Sequence, residues 1–175
     1  MRNFDYQTPT RLIFGKGVVE KKPKSVMAKF GKRVLITYGG GSIKRSGLYD
    51  QVLQILEDKE IYELPGIEPN PKFNPSVLDG VRICKEKDID VILAVGGGSV
   101  LDCTKAIAGA ACSVADPWDI VTGKAPTLKA IPIVDIITLA ATGSEYDSGG
   151  VISRTETNDK LAYFSPLVFP AVSFI

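Results

Sequence analysis

One tetrapeptide, Gly-Gly-Gly-Ser, occurs twice in this 175-residue chain, each time directly after a compact apolar run. No other feature constrains the fold as much. The first run is "RVLITY" (Arg33 to Tyr38), followed by Gly39, Gly40, Gly41 and Ser42. The second is "DVILAV", followed by Gly96, Gly97, Gly98 and Ser99. Short β-branched apolar runs of this kind predict strands buried on both faces. Glycine loses the most backbone freedom on folding, so three in a row are costly and ask for a reason. A third apolar run, "AIPIVDIITL", ends in the glycine- and serine-rich "AATGSEYDSGG".

The segments between these runs read as helices. "PKSVMAKFGK" predicts a short helix with Pro23 in its first turn and Gly31 at its C′ position. "SGLYDQVLQILEDK" predicts a helix with Leu48, Val52, Ile55 and Leu56 on one face, and "PSVLDGVRICKEKD" another with Val77, Leu78, Val81 and Cys84 inward. "SVLDCTKAIAGAACS" is small and helix-prone, and Ser99 and Asp102 have the spacing of a capping box. "RLIFGKG" and "IYEL" read as short strands, "PGIEPNPKFNP" and Asp116 to Pro126 as loops, and "GVISR", "KLAYF" and "LVFPAVSFI" as three closing strands. No internal repeat of fixed period is present. Continuously apolar strands alternating with amphipathic helices predict a parallel α/β sheet covered on both faces.

Composition excludes several functions. With 21 basic and 20 acidic residues the net charge is +1, which points to neither nucleic acid nor an anionic membrane. No apolar run approaches the roughly 20 residues that span a bilayer, and "MRNFDYQTPTRLIF" lacks the pattern of a signal peptide, so a cytoplasmic protein is expected. Cys84, Cys103 and Cys112 show no C-x-x-C spacing and predict buried thiols rather than a disulfide framework. The chain has no histidine. Histidine triads, H-E-x-x-H sites and mixed Cys/His zinc sites therefore cannot be built from it.

In a parallel sheet all three glycine turns should lie at the carboxyl edge of the strands, where ligands of open α/β sheets bind. Backbone without side chains lets amide N–H groups approach a ligand, and a following helix N-terminus adds unpaired donors. A phosphate or pyrophosphate is the ligand this suits; a tight turn with no ligand is the alternative. Neither cluster fits G-x-G-x-x-G, since Leu101 and Lys44 stand at the last position, and no P-loop motif occurs.

Four stretches taken in order, "YGGGSIKRSGLYDQV", "AVGGGSVLDCTKAIA", "ITLAATGSEYDSGGVISR" and "KLAYFSPLVFP", resemble the N-terminal half of iron-containing alcohol dehydrogenases. The NADP-using, butanol-dehydrogenase-like branch is most similar. The resemblance runs from "NFDYQTPTRLIFGKG" to "PAVSFI". It implies a Rossmann-like, dehydroquinate-synthase-like cofactor domain over residues 1–175, with the family's helical metal domain beyond it. The nicotinamide and the alcohol carbon would meet in the cleft between the two.

Carried over position by position, the resemblance implies that Gly96, Gly97, Gly98 and Ser99 grip the cofactor pyrophosphate, with Asp102 near the nicotinamide side. Gly39, Gly40, Gly41 and Ser42 match the region around the adenosine ribose. No acid follows that strand to bind a 2′-hydroxyl, and Lys44 and Arg45 lie just beyond, so NADP(H) is favoured over NAD(H). Thr138, Thr142 and Gly143 match positions lining the nicotinamide ribose. Asp147 stands where relatives often have Asn, and Lys160 matches a lysine that reaches the cofactor. Trp118 lies in a stretch that resembles a substrate-side loop, or else serves packing.

The family's metal ligands, one Asp and three His, match nothing here, so a divalent metal (iron or zinc) is expected only in a full-length protein and this chain alone is expected to be inactive. Three readings follow: the cofactor half of an alcohol dehydrogenase or aldehyde reductase acting on a small alcohol or aldehyde, an inactive dinucleotide-binding module, or a remnant binding nothing tightly. No catalytic residue is assigned. The apolar end "PLVFPAVSFI" reads as an exposed strand, and the N-terminal strand as a site of homodimer pairing.

Overall fold

A computed structural model describes residues 7–175. Its centre is a sheet of six parallel strands: β1 (Arg11–Ile13), β2 (Arg33–Tyr38), β3 (Glu60–Leu64), β4 (Val91–Gly97), β5 (Ile133–Leu139) and β8 (Val172–Phe174). Their order is β1-β8-β5-β4-β2-β3. The chain steps outward from β2 to β3, then returns to lay β4 on the other side of β2. The β2/β4 junction is thus the topological switch point, where the connections leave a crevice at the carboxyl edge.

Period-2 alternation in the strands sorts residues between two cores. Val34, Ile36 and Tyr38 of β2, with Val91, Leu93 and Val95 of β4, face α2 (Pro23–Met27), α3 (Ser42–Arg45) and α4 (Leu48–Ile55). Leu35, Ile92 and Ala94 face the other way, against α5 (Leu78–Glu86), α6 (Gly98–Ala111) and α7 (Pro117–Val121). A short helix, α1 (Val18–Lys21), precedes α2. The parallel sheet with helices on both faces is therefore the architecture read from the sequence. Among the described residues no helix is long and apolar enough to cross a membrane.

Several local expectations are corrected. Gly31 is no helix cap: α2 ends at Met27, and a Cβ at Gly31 would collide with the Asp90 side chain, which clasps Arg33. The helix read from Ser46 onward is preceded by a separate turn, α3, because Gly47 at φ 77° breaks the run. The proposed loop at 116–126 contains α7, capped by Asp116, whose carboxylate accepts from the Trp118 amide at 2.8 Å. "GVISR" and "KLAYF" form an antiparallel hairpin, β6 (Gly149–Arg154) and β7 (Asp159–Phe164), outside the main sheet. The chain's end is not an exposed strand. In "PLVFPAVSFI" only Val172–Phe174 is strand, and β8 is an interior strand paired with both β1 and β5, with Phe174 fully buried. β1 lies at the sheet edge, while residues 1–6 of the expected dimer segment lie outside the described residues.

Cys84 and Cys103 are buried and Cys112 is exposed; all three are free thiols. Cys112 therefore departs from the expected burial, because α6 ends at Ala111 and leaves it at the surface.

Candidate functional site

Because β2, β4 and β5 are adjacent and parallel, the three glycine turns converge on one edge. They line a cleft of about 330 Å³. Gly39, Gly40 and Ser42 come from the first turn, Gly96, Gly97, Gly98 and Ser99 from the second, and Thr138 and Thr142 from the third. Ile67 and Pro69, from the loop after β3, complete the wall, and no acidic residue lines it. The Ile67 amide donates to the Tyr38 carbonyl at 3.1 Å and the Gly66 amide to that of Gly39 at 3.3 Å, so this loop is tied to the first turn.

The glycines divide by what surrounds them. A Cβ at Gly96 would stand 2.6 Å from Val100 Cγ2, and one at Gly98 would stand 2.3 Å from Thr142 Oγ1. A Cβ at Gly39 would press on the Ile67 carbonyl at 3.2 Å. These glycines let protein pack on protein. Gly40 meets nothing within 4 Å, and Gly97 meets only Leu139 Cβ at 4.0 Å. The middle glycine of each triplet faces open space, which packing does not explain and a ligand lying on the backbone would.

Helix α6 starts at Gly98 and aims its N-terminus into the cleft. The expected capping box is absent: the N-cap is Gly97, with no side-chain cap bond. Those amides are left for a ligand, and the positive end of the helix dipole favours an anionic one. The Thr37 and Thr104 hydroxyls, 2.6 Å apart and fully buried, fix α6 against β2.

Asp102 does something else. Its Oδ1 accepts from Ser144 Oγ and its Oδ2 from the Val151 amide, at 2.8 and 2.9 Å. Both oxygens tie α6 to the third turn and the hairpin. With Thr142 and Asp147 it lines a second hollow of about 270 Å³ that shares Thr142 with the main cleft. Gly41 and Gly143 line neither hollow and hold left-handed turns at φ 99° and 76°. Lys160, on β7, is outside both and donates to Asn70 Oδ1 at 2.8 Å. Trp118 is a packing residue: it is 9% exposed, its ring stands edge-on to Phe73 at 4.8 Å, and the Arg154 guanidinium lies 5.1 Å above it.

Sequence reasoning missed Lys105. This side chain is 0% exposed, and its three N–H donors are shared among four oxygens within reach of Nζ: Ser144 O (2.6 Å), Ser144 Oγ (3.0 Å), Asp147 Oδ1 (2.6 Å) and Gly149 O (2.8 Å). Burial pulls its pKa down, and the bond to Asp147 opposes that. A buried cation is tolerated only when so fully partnered. Asp147, which the resemblance places at the cofactor, accepts at Oδ1 from Lys105 and from the Gly149 amide, and its side chain is 52% exposed. The available signal was a lone lysine amid the small residues of "CTKAIAGAA".

The described residues contain no group of three or more His, Cys, Asp or Glu side chains that could hold a metal. The divalent metal that the resemblance implies does not fit the described residues.

Comparison with known proteins agrees with the architecture. Residues 9–175 match the family model described as iron-containing alcohol dehydrogenase. The chain is 55% identical over its whole length to a probable NADH-dependent butanol dehydrogenase 1 of Bacillus subtilis, of which it covers 45%. It is 46% identical to the NADPH-dependent aldehyde reductase YqhD of Escherichia coli, again covering all of this chain and 45% of that protein. The crystal structure of NADH-dependent butanol dehydrogenase A from Thermotoga maritima superposes with a TM-score of 0.92 at 39% identity, covering 100% of this chain and 44% of that one. The chain thus spans less than half the length of the relatives it matches. With its sheet, its glycine turns and its sequence in agreement, the chain belongs to the iron-containing alcohol dehydrogenase family.

Proposed function

We propose that this chain is the cofactor-binding half of an NADP(H)-dependent alcohol dehydrogenase or aldehyde reductase. Hydride would pass between C4 of the nicotinamide and the carbon of a small primary alcohol or aldehyde. The observation that carries the reading is the pair of open middle glycines, Gly40 and Gly97, in one cleft at the switch point. In this reading the second turn and the α6 N-terminus hold the pyrophosphate. The first turn takes the adenosine ribose, and Thr138 and Thr142 border the nicotinamide ribose. Asp102, Lys105 and Asp147 hold the third turn in place and do not touch the cofactor. Gly143 sets the bend of that turn, and Lys160 stands beside the cofactor's path through Asn70.

The relatives are named for both cofactors, NADH in B. subtilis and NADPH in E. coli. The absence of any acid from the cleft lining favours the 2′-phosphate. The substrate pocket and the divalent metal belong, in this reading, to sequence outside these residues. Pairing of a second copy along the free edge of β1 would make the protein a homodimer.

The test is a fluorescence titration of the folded chain with NADPH and with NADH. Saturable binding, tighter for NADPH, is expected. A folded chain that binds neither dinucleotide overturns the proposal, and one that prefers NADH overturns its cofactor choice.

A further inference from the structure

The first glycine turn is followed by two cations, Lys44 and Arg45, adjacent in sequence and both exposed. The structure gives them different surroundings. Lys44 Nζ lies 4.5 Å from the ring centroid of Tyr49 and 5.4 Å from that of Tyr38. The hydroxyls of those tyrosines donate to the two oxygens of one carboxylate, Glu63: Tyr38 to Oε2 at 2.5 Å and Tyr49 to Oε1 at 2.8 Å. Glu63 sits on β3 in register with Ile36 of β2, whose side chain faces the α4 side of the sheet. Lys44 is therefore drawn onto an aromatic and acidic cluster beside the sheet, where cation–π attraction and the nearby carboxylate hold it.

Arg45 goes the other way. Its Nη1 lies 3.8 Å from the point where a Cβ on Gly41 would stand, so the guanidinium folds back over the turn. Among the described residues it forms no salt bridge and no side-chain hydrogen bond. The turn beneath it contributes Gly39, Gly40 and Ser42 to the cleft, while Gly41 and Arg45 themselves stand outside that lining. A guanidinium presents a planar fork of donors matched to phosphate oxygens, which an ammonium already committed to aromatic rings does not.

The geometry points to Arg45 as the specificity-determining residue for a 2′-phosphorylated adenosine, with Lys44 serving as an anchor of α3. This rests on the dinucleotide reading above and adds to it a division of labour between two neighbouring cations. Glu63 explains why an acid so near the first turn does not select the unphosphorylated ribose: both of its oxygens are already taken by tyrosine hydroxyls.

The experiment measures the dissociation constants of NADPH and NADH for the full chain and for its Arg45→Gln and Lys44→Gln variants, with circular dichroism confirming the fold of each. Arg45→Gln should weaken NADPH by about tenfold and leave NADH within about twofold, as loss of one charge-assisted phosphate contact predicts. Lys44→Gln should change the NADPH-to-NADH ratio by less than about threefold. An unchanged ratio in Arg45→Gln, or an equal change in Lys44→Gln, overturns the assignment while leaving the dinucleotide reading standing. Failure of the parent chain to bind either cofactor removes both.

Discussion

The two Gly-Gly-Gly-Ser stretches are identical in sequence and unlike in structure. In the second, β4 keeps strand geometry through Gly97 and passes directly into α6, with no intervening loop residue. In the first, β2 stops at Tyr38, Gly41 turns left-handed at φ 99°, and the helix that follows is only Ser42–Arg45. The difference comes from what lies next to each turn. Beyond the second, Val100, Leu101, Cys103, Ala106 and Ile107 supply a continuous buried face that carries α6 for 14 residues. Beyond the first, α3 buries only Ile43 before Ser46 and Gly47 interrupt it. Four residues do not encode their own turn; the surface available to the following segment decides it. What the two turns share is their open middle glycine, the one position in each that neither close packing nor a positive φ explains.

The greatest contrast between the two sides should appear on removing each turn's downstream lysine. Lys105, seven residues after Gly98, holds the third turn through four acceptors, while the exposed Lys44, three after Gly41, rests on the rings of the buried Tyr38 and the half-buried Tyr49. Lys105→Met leaves the Ser144 and Gly149 carbonyls without the buried donor that serves them, at about 1–3 kcal/mol for each group left unsatisfied. Lys44→Met should cost less than about 1 kcal/mol, the value of an exposed cation–π contact. Urea denaturation of both variants measures the gap. Equal losses would mean that Lys105 anchors the third turn no more firmly than Lys44 anchors α3.

A smaller effect, dependent on pH, belongs to the second-turn side alone. Asp135 of β5 is fully buried, and burial, reinforced by the nearby Glu145 charge, pushes its carboxyl up to about 7. Hydrogen counting agrees. Ser173 Oγ lies within bonding reach of both Asp135 Oδ2 and the Glu145 carbonyl, and it has one proton to give. A neutral Asp135 donating from Oδ2 to Ser173 lets Ser173 donate to the Glu145 carbonyl, and Oδ1, which has no partner, then carries no charge. The folded pKa lies above the ordinary 3.8, so the folded state holds this proton more tightly than the unfolded chain does. That stabilisation is complete below pH 3.8 and is lost as pH rises through about 7. Asp135→Asn keeps a donor toward Ser173 and removes the ionisation. Its stability relative to the parent should rise between about pH 5 and about pH 8, by at least about 1 kcal/mol. A flat difference across that range would mean that Asp135 is already ionised in the fold.

The fold was legible because β2, β4 and β5 are dominantly apolar runs, broken in β5 only by Asp135 and Thr138, a pattern that calls for cover on both faces and hence a parallel sheet. The location of the cleft followed from strand direction alone. Tertiary ties between distant segments were not legible. The Ser99–Asp102 spacing suggests a cap, yet Asp102 serves Ser144 and Val151, more than forty residues on. No spacing in the sequence foretells the tie between Asp147 and Lys105, 42 residues apart. Gly31 looks like a helix cap until Asp90 claims its space. For Asp102 and Gly31 local spacing offered a complete local explanation, and a partner far along the chain took the carboxylate in one case and the space beside the backbone in the other. The burial of β8 was missed for a related reason. A three-residue strand carries no periodicity of its own, and only its neighbours β1 and β5 place it inside.

The smallest effect on stability is the one that tests the shared feature of the two turns. Gly40→Ala and Gly97→Ala each add a methyl group where no atom lies closer than 4.0 Å, and neither residue has a positive φ. Each should leave stability within about 0.5 kcal/mol of the parent, as surface substitutions do. A methyl there still stands between the backbone amides and any group lying on them. If a pyrophosphate lies on the second turn and a ribose on the first, Gly97→Ala should weaken NADPH and NADH alike, by about tenfold, while Gly40→Ala should act on the adenosine end and change their ratio. Binding titrations on the two variants decide between a triplet kept for a ligand and one kept for a turn. Unaltered affinity in both would return the middle glycines to the ordinary chemistry of tight turns. A loss confined to Gly97→Ala would assign the ligand to the α6 turn and leave the first turn as structure.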